Sequence, residues 1–345
     1  MSKSLWLPTL ISLVVLFCIN ILMVSSVAPS LVGKQLIAWG LGLVLFFIGK
    51  QINLKQLNSY KWPIFIICCI ALLLPIVLNF STRGSHRWIY IAGQTIQPSE
   101  FVKPMLMSFL ANTSLSFLLF IPVAIIMAQP DLGSAISVLF LIIPVIFYNK
   151  KLLKFSLIAG LCLILISPLI YKYGLHDYQQ KRITTFLNPK NNPLDEGYNV
   201  IQSQIAIGSG GFFGRGLGES RQKFMYIPEV WSDSIFAVVA EEVGFLFSLA
   251  LISLYFYIFY QALLISQRAP DFFGKLLAGG IGIWIFWQAF INIGGATNLI
   301  PMTGVPLPFV SSGGSAIMAL LMALGILANI SRQAKQVSGT KQSHV

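Results

Sequence analysis

Residues 233–260 read DSIFAVVAEEVGFLFSLALISLYFYIFY, one carboxylate followed by an apolar run interrupted only by Glu241 and Glu242. A helix needs ~20 predominantly apolar residues to cross a ~30 Å hydrocarbon core, and residues 234–260 supply them. The pattern recurs at 5–27, 62–80 and 155–173. Over the whole chain of 345 residues, 56% are hydrophobic and only 10% charged, too few charges to cover the surface of a soluble protein of this length. The alternation of a β-barrel is absent, so the spans are helices, which satisfy every backbone group internally.

Working outward gives an all-α, polytopic membrane protein of about ten transmembrane helices. The expected spans are 5–27, 31–49, 62–80, 100–112, 114–128, 131–148, 155–173, 234–260, 276–292 and 315–330. The first is read as a retained helix, too long for the h-region of a signal peptide and without a small-residue cleavage site. Segments 100–112 and 114–128 are short for two crossings. Lys50, Lys150, Lys154, Arg268 and Lys275 fall between spans on one side, where Asp271 is the lone acid. That bias makes both termini cytoplasmic and the loop 174–233 extracytoplasmic. Residues 1–332 are expected to form a single membrane domain, and 333–345 a disordered cytoplasmic tail.

The net charge of +12 does not indicate nucleic acid, because the basic residues punctuate the spans instead of clustering on one soluble face. Cys18, Cys68, Cys69 and Cys162 lie within apolar spans and carry neither a metal spacing nor a disulfide framework. No HExxH or Cys/His zinc pattern occurs, and no serine in a nucleophile elbow accompanies His86, His176 or His344.

Four polar clusters flank the outer ends of the spans. In the first, Arg87 adjoins Trp88, and Glu100 and Lys103 share a helix face at i,i+3. They form either a structural ion pair or a substrate contact, since an ionisable group within a span marks a functional site by default. In the second, Gln129 and Asp131 bracket Pro130, and Asp131 either caps the next helix or faces a hydrated cavity. The third runs through the long loop, with Arg182, Gln202, Arg215, Arg221, Lys223 and Glu229 around the glycines of 208–218. No strand precedes those glycines as a dinucleotide loop requires; they make either a flexible loop or an anion nest flanked by Arg and Lys. Asp233 closes this cluster, as a helix cap or as a general base at the bilayer edge. The fourth carries Pro301, Pro306 and Pro308 before Ser311 and Ser315, and reads as a rigid re-entrant segment whose serines can donate to a phosphate or a sugar.

The motifs RWI, QPSEF, QPDLG, GYNVIQSQIAIGSGG, GRGLGESRQKF, IPEVWSDSIFAVVAEEVGF and IPMTGVPLPFVSSGGS, in this order, resemble the SEDS family that includes RodA, FtsW and SpoVE. The resemblance runs from about residue 81 to 330 and looks closer to FtsW than to RodA. It implies a peptidoglycan glycosyltransferase that polymerises lipid II on the outer face of the cytoplasmic membrane, with Asp233, the carboxylate of the PE…D-IFAV motif, as the essential catalytic residue. It implies a class B penicillin-binding protein as partner, and a divalent cation, Mg or Mn, at the pyrophosphate. Two stretches depart from the family: Trp231-Ser232-Asp233-Ser234 stands for H-T-D-F with the aspartate kept, and Ser312 replaces a tyrosine. A lipid II flippase and a noncatalytic scaffold for the transpeptidase are the competing functions.

Overall fold

The computed structural model describes residues 6–78, 87–91, 94–110, 116–148, 154, 177–191, 196–223 and 230–342. The protein is helical, apart from a two-stranded antiparallel hairpin of β1 (Ile89–Ile91) and β2 (Gln94–Ile96). Its contacts fall into two compact units, where the sequence reading expects one domain: 1–144, 253–289 and 308–345 form one, and 145–252 with 290–307 the other.

The first unit contains α1 (Trp6–Val27), α2 (Val32–Gln51), α3 (Leu54–Ser59), α4 (Lys61–Val77), α5 (Pro98–Leu110), α6 (Phe120–Ala128) and α7 (Leu132–Phe140), after which the short α8 (Ile143–Tyr148) begins. It ends with α13 (Gly314–Gln342), the most deeply buried of the long helices. α13 lies against α2 almost backbone to backbone: a side chain at Gly325 would meet the Phe46 carbonyl, and one at Gly49 the Met322 carbonyl. Small residues permit this approach where no hydrophobic effect drives helices together. Asn20 on α1 is the polar hub. Its Oδ1 accepts from Gln35 Nε2 (3.0 Å) and Trp39 Nε1 (2.8 Å), while its Nδ2 donates to Val310 O (2.8 Å).

The second unit contains α9 (Asp177–Leu187), α10 (Glu196–Ser209) and the first half of α11 (Ile235–Arg268). The end of α12 (Phe272–Ala296) and the non-helical segment 297–307 complete it.

Among the described residues, five helices are long and apolar enough to span a membrane: those at Leu7–Val27, Pro29–Gln51, Ile235–Arg268, Phe272–Ala296 and Gly314–Gln336. Expected span 155–173 lies outside the described residues. Span 131–148 is interrupted at residues 141–142, giving α7 and α8. The 100–128 region does hold two short helices, α5 and α6, of 13 and 9 residues. The loop 174–233, expected to be a polar connection, is partly helical, because α9 and α10 carry buried positions such as Thr185, Val200 and Ala206. The expected disordered tail from 333 instead continues α13 as helix to Gln342.

Candidate active site

Asp233 ends a turn, and α11 begins two residues later. Ser234 and every residue of 235–240 are buried, whereas Asp233 is only half-buried. The carboxylate therefore stands where polar backbone gives way to a closely packed helix. The cap position falls on Ser234. Asn292, on α12, fixes the main chain there: its side-chain amide donates to Asp233 O (2.7 Å) and to Val305 O (2.8 Å). This ties the catalytic candidate to the proline-rich segment. Gly304 has φ +72°, and a Cβ there would sit 3.8 Å from Asp233 Oδ2. Any larger residue would combine backbone strain with contact against the carboxylate.

A pocket of about 320 Å³ opens beside Asp233, lined by Arg182, Thr185, Phe186, Tyr198, Asn199, Val200, Asn298, Met302 and Gly304. Among the described residues, Arg182 and Asp233 are the charged members of its lining. Arg182 is held by donating to Met302 O (3.2 Å), and Asn298 donates to Phe186 O (3.3 Å). The lining thus presents a carboxylate that can accept a proton, and a guanidinium that can pair with an anion.

The glycine-rich loop, which the sequence leaves as either a flexible loop or an anion nest, packs onto α11. α11 opens at Gly244 (φ +77°), and the loop hydrogen-bonds to its exposed backbone. Arg215 N and Gly216 N donate to the carbonyls of Glu241 and Glu242 (3.0 Å each), and Phe245 N donates to Gly211 O (2.9 Å). Side chains at Gly210 and Gly214 would strike the Ala240 and Glu242 carbonyls. The anion held here is the protein's own: the Glu241 carboxylate accepts from Ser220 Oγ (2.6 Å), Arg221 N (3.1 Å) and Gln222 N (3.4 Å). Arg215 lies 3.8 Å from Glu241, and Lys223 bonds Glu242 at 3.0 Å. Arg215 and Lys223 accordingly pair with the two glutamates, Arg221 is exposed and meets Glu241 through its backbone N–H, and none of the three lines the Asp233 pocket. Gln202 lies half-buried on α10, also away from the pocket lining. Glu229 lies outside the described residues.

In the first unit a second polar cluster forms. Asp131 caps α7 by accepting from Ser134 N (3.0 Å), and its other oxygen accepts from Gln97 Nε2 (3.1 Å), so the capping reading of this residue holds alongside a polar contact. Arg87 stands 3.7 Å away. Gln97 N in turn donates to Ser315 Oγ (3.0 Å), joining the hairpin to α13. Lys103 Nζ and Glu100 Oε1 are 2.5 Å apart with side chains 1% and 3% exposed, and Nζ lies 5.6 Å from the Trp284 ring. Gln129 donates to Leu72 O, and Ser311 is buried, its carbonyl accepting from Gln35 (3.2 Å).

Of the sequence candidates, Asp233 and Arg182 come together at the pocket, and Arg87 joins Asp131. The sequence reading passed over Thr185, Asn199 and Asn298. Thr185 stands three residues after Arg182, on the same helix face, which is the one signal it offered.

Residues 2–336 match the family model described as "Cell cycle protein", that of FtsW, RodA and SpoVE. The chain is 36% identical over 320 residues to stage V sporulation protein E of Bacillus subtilis, covering 88% of this chain and 87% of that protein. It is 35% identical over 316 residues to the peptidoglycan glycosyltransferase MrdB of Escherichia coli, covering 86% and 85%. A chain from a solved structure described as "Structural coordination of polymerization and crosslinking by a peptidoglycan synthase complex" superposes with a TM-score of 0.82. That match has 27% identity and covers 95% of this chain and 97% of the other. With its motifs in order, its multi-pass helical fold and a match along almost its full length, this chain belongs to the FtsW, RodA and SpoVE family of membrane proteins.

Proposed function

We infer that the protein is a peptidoglycan glycosyltransferase that polymerises lipid II into glycan strands, serving cell division or cell shape. The observation that carries this reading is the pocket in which Asp233 and Arg182 face a shared space at the start of an apolar helix. Polymerisation joins O4 of the acceptor N-acetylglucosamine to C1 of the donor sugar. The C1–O bond to undecaprenyl pyrophosphate breaks, and the pyrophosphate leaves with the bonding electrons. The acceptor hydroxyl is a poor nucleophile at neutral pH, so a carboxylate that takes its proton as the new bond forms accelerates the step by ~10²–10⁴-fold. Arg182 stabilises the negative charge that develops on the leaving pyrophosphate.

Among the described residues no group of three His, Cys, Asp or Glu side chains could hold a metal by itself. We read the divalent cation expected from the family resemblance as one held jointly with the substrate. Mg²⁺ commonly binds through one or two carboxylates with substrate phosphates and water, so such a cation would arrive with the pyrophosphate and neutralise it there.

The purified full-length chain, incubated with lipid II alone and with a class B penicillin-binding protein, is expected to yield glycan strands. The partner is expected to raise the rate several-fold, a reading supported by the solved relative, which is described as coordinating polymerisation with crosslinking in a synthase complex. No strands under either condition would sink the polymerase reading in favour of a flippase or a scaffold. The FtsW-like branch is carried by GLGESRQKF, AEE and PMTGVPLPF; identities of 36% to the sporulation protein and 35% to MrdB do not separate the branches.

The Lys/Arg asymmetry supports insertion in the cytoplasmic membrane with both termini inside and the Asp233 pocket outside. In a background lacking all four native cysteines, Asn188→Cys is expected to react with an impermeant maleimide on intact cells. Lys55→Cys is expected to react only after permeabilisation. The reverse pattern would overturn the orientation.

A further inference from the structure

We propose that Thr185 and Asn199 form the specificity floor of the Asp233 pocket, reading the acetamido group and a neighbouring hydroxyl of the acceptor sugar. Thr185 Oγ1 and Asn199 Oδ1 are both buried, both belong to residues of the pocket lining, and among the described residues neither has a hydrogen-bond partner. Buried polar atoms in folded proteins are nearly always hydrogen-bonded, so two such atoms on residues that line one pocket point to a ligand that supplies their partners. The amide oxygen of Asn199 can only accept, so it requires an N–H or O–H from the ligand; the Thr185 hydroxyl can give or take.

Both groups are neutral, whereas an anion would be drawn to Arg182 in the same lining. The two neutral groups are therefore suited to the uncharged part of the substrate. The aromatic faces of Phe186 and Tyr198 add apolar surface for the C–H face of a pyranose ring. About 320 Å³ lies at the lower end of small-ligand pockets and matches one substituted sugar ring better than an entire lipid-linked disaccharide. The ring whose hydroxyl must reach Asp233 is the acceptor N-acetylglucosamine, and its acetamido N–H meets the need of Asn199. This assignment rests on the polymerase reading above.

The test uses the full-length protein with its transpeptidase, lipid II as substrate, and a soluble lipid-free N-acetylglucosamine–N-acetylmuramic acid disaccharide as competitor. Thr185→Val and Asn199→Leu are each expected to raise the KM for lipid II about tenfold with kcat within about twofold, and Thr185→Ser to restore it. In the wild type, a disaccharide with hydrogen replacing the acetamido group of its N-acetylglucosamine ring is expected to compete at least about tenfold more weakly than the native one. That arm needs no variant to fold. Equal competition by the two disaccharides overturns the proposal, as does an unchanged KM in both folded variants or a fall in kcat at constant KM. A wild type that makes no polymer at all instead removes the polymerase reading on which the proposal stands.

Discussion

Asp233→Asn is expected to lose at least about a hundredfold in glycan polymerisation while the protein folds and still binds its transpeptidase. Asn keeps the size of the side chain and its capacity to cap a helix, and removes only the ability to accept a proton at neutral pH. Asn292 holds the Asp233 main-chain carbonyl, a contact that Asp233→Asn leaves in place, and α11 begins at Ile235. A structural role therefore predicts near-normal turnover, and a general-base role predicts the ~10²–10⁴-fold loss of a missing base. Glycan product from lipid II, normalised to folded protein in detergent, measures it. A variant that keeps more than about a tenth of the wild-type rate would overturn the base assignment.

The second large effect is on stability. Lys103 and Glu100 are almost completely buried, and among the described residues Glu100 Oε2 has no hydrogen-bond partner. Removing one member strands the other charge away from water, which costs ~3–5 kcal/mol in buried pairs. Lys103→Met and Glu100→Gln are each expected to lower the thermal unfolding midpoint sharply, with loss of folded protein on detergent extraction. The Glu100→Met, Lys103→Met double variant is expected to recover most of that stability, because burying two apolar chains of similar length leaves no orphan charge. Thermal unfolding of the four proteins reads this directly. A double variant as unstable as the worse single one would refute it. Polymerase activity in the stable double variant separates a structural pair from a substrate contact: retained activity assigns the pair to the frame.

The membrane class and the principal long spans were readable from the sequence for simple reasons, and the place of Asp233 before an apolar run marked it as a cap or a base. Hydropathy is a local sum over ~20 residues, and the 234–260 run exceeds any span threshold on composition alone. An i,i+3 pair such as Glu100 and Lys103 is fixed by helix geometry, so its ion pair follows from the sequence once the helix does. The break at residues 141–142 and the helices within 174–233 were not readable. The 131–148 run is apolar on both sides of its break, and the moderate amphipathicity of α9 and α10 is hidden by their polar residues.

What only the tertiary structure decided was the partner of each charge. Arg215, Arg221 and Lys223 stand within a few residues of the glycines, and by composition they make a plausible anion site. The Arg215 and Lys223 side chains neighbour the Glu241–Glu242 pair, which reaches them because α11 opens at Gly244 and lets the loop bond to its backbone, and Arg221 meets Glu241 through its main-chain N–H. Arg182 stands far from Asp233 in the chain, yet it shares a pocket with it through the packing of α9 and α10 beside the 297–307 segment. Periodicity and hydropathy report which residues lie in a span and on which face. Electrostatic pairing depends on distances of a few ångströms between segments far apart in the chain, and only the folded backbone sets those distances.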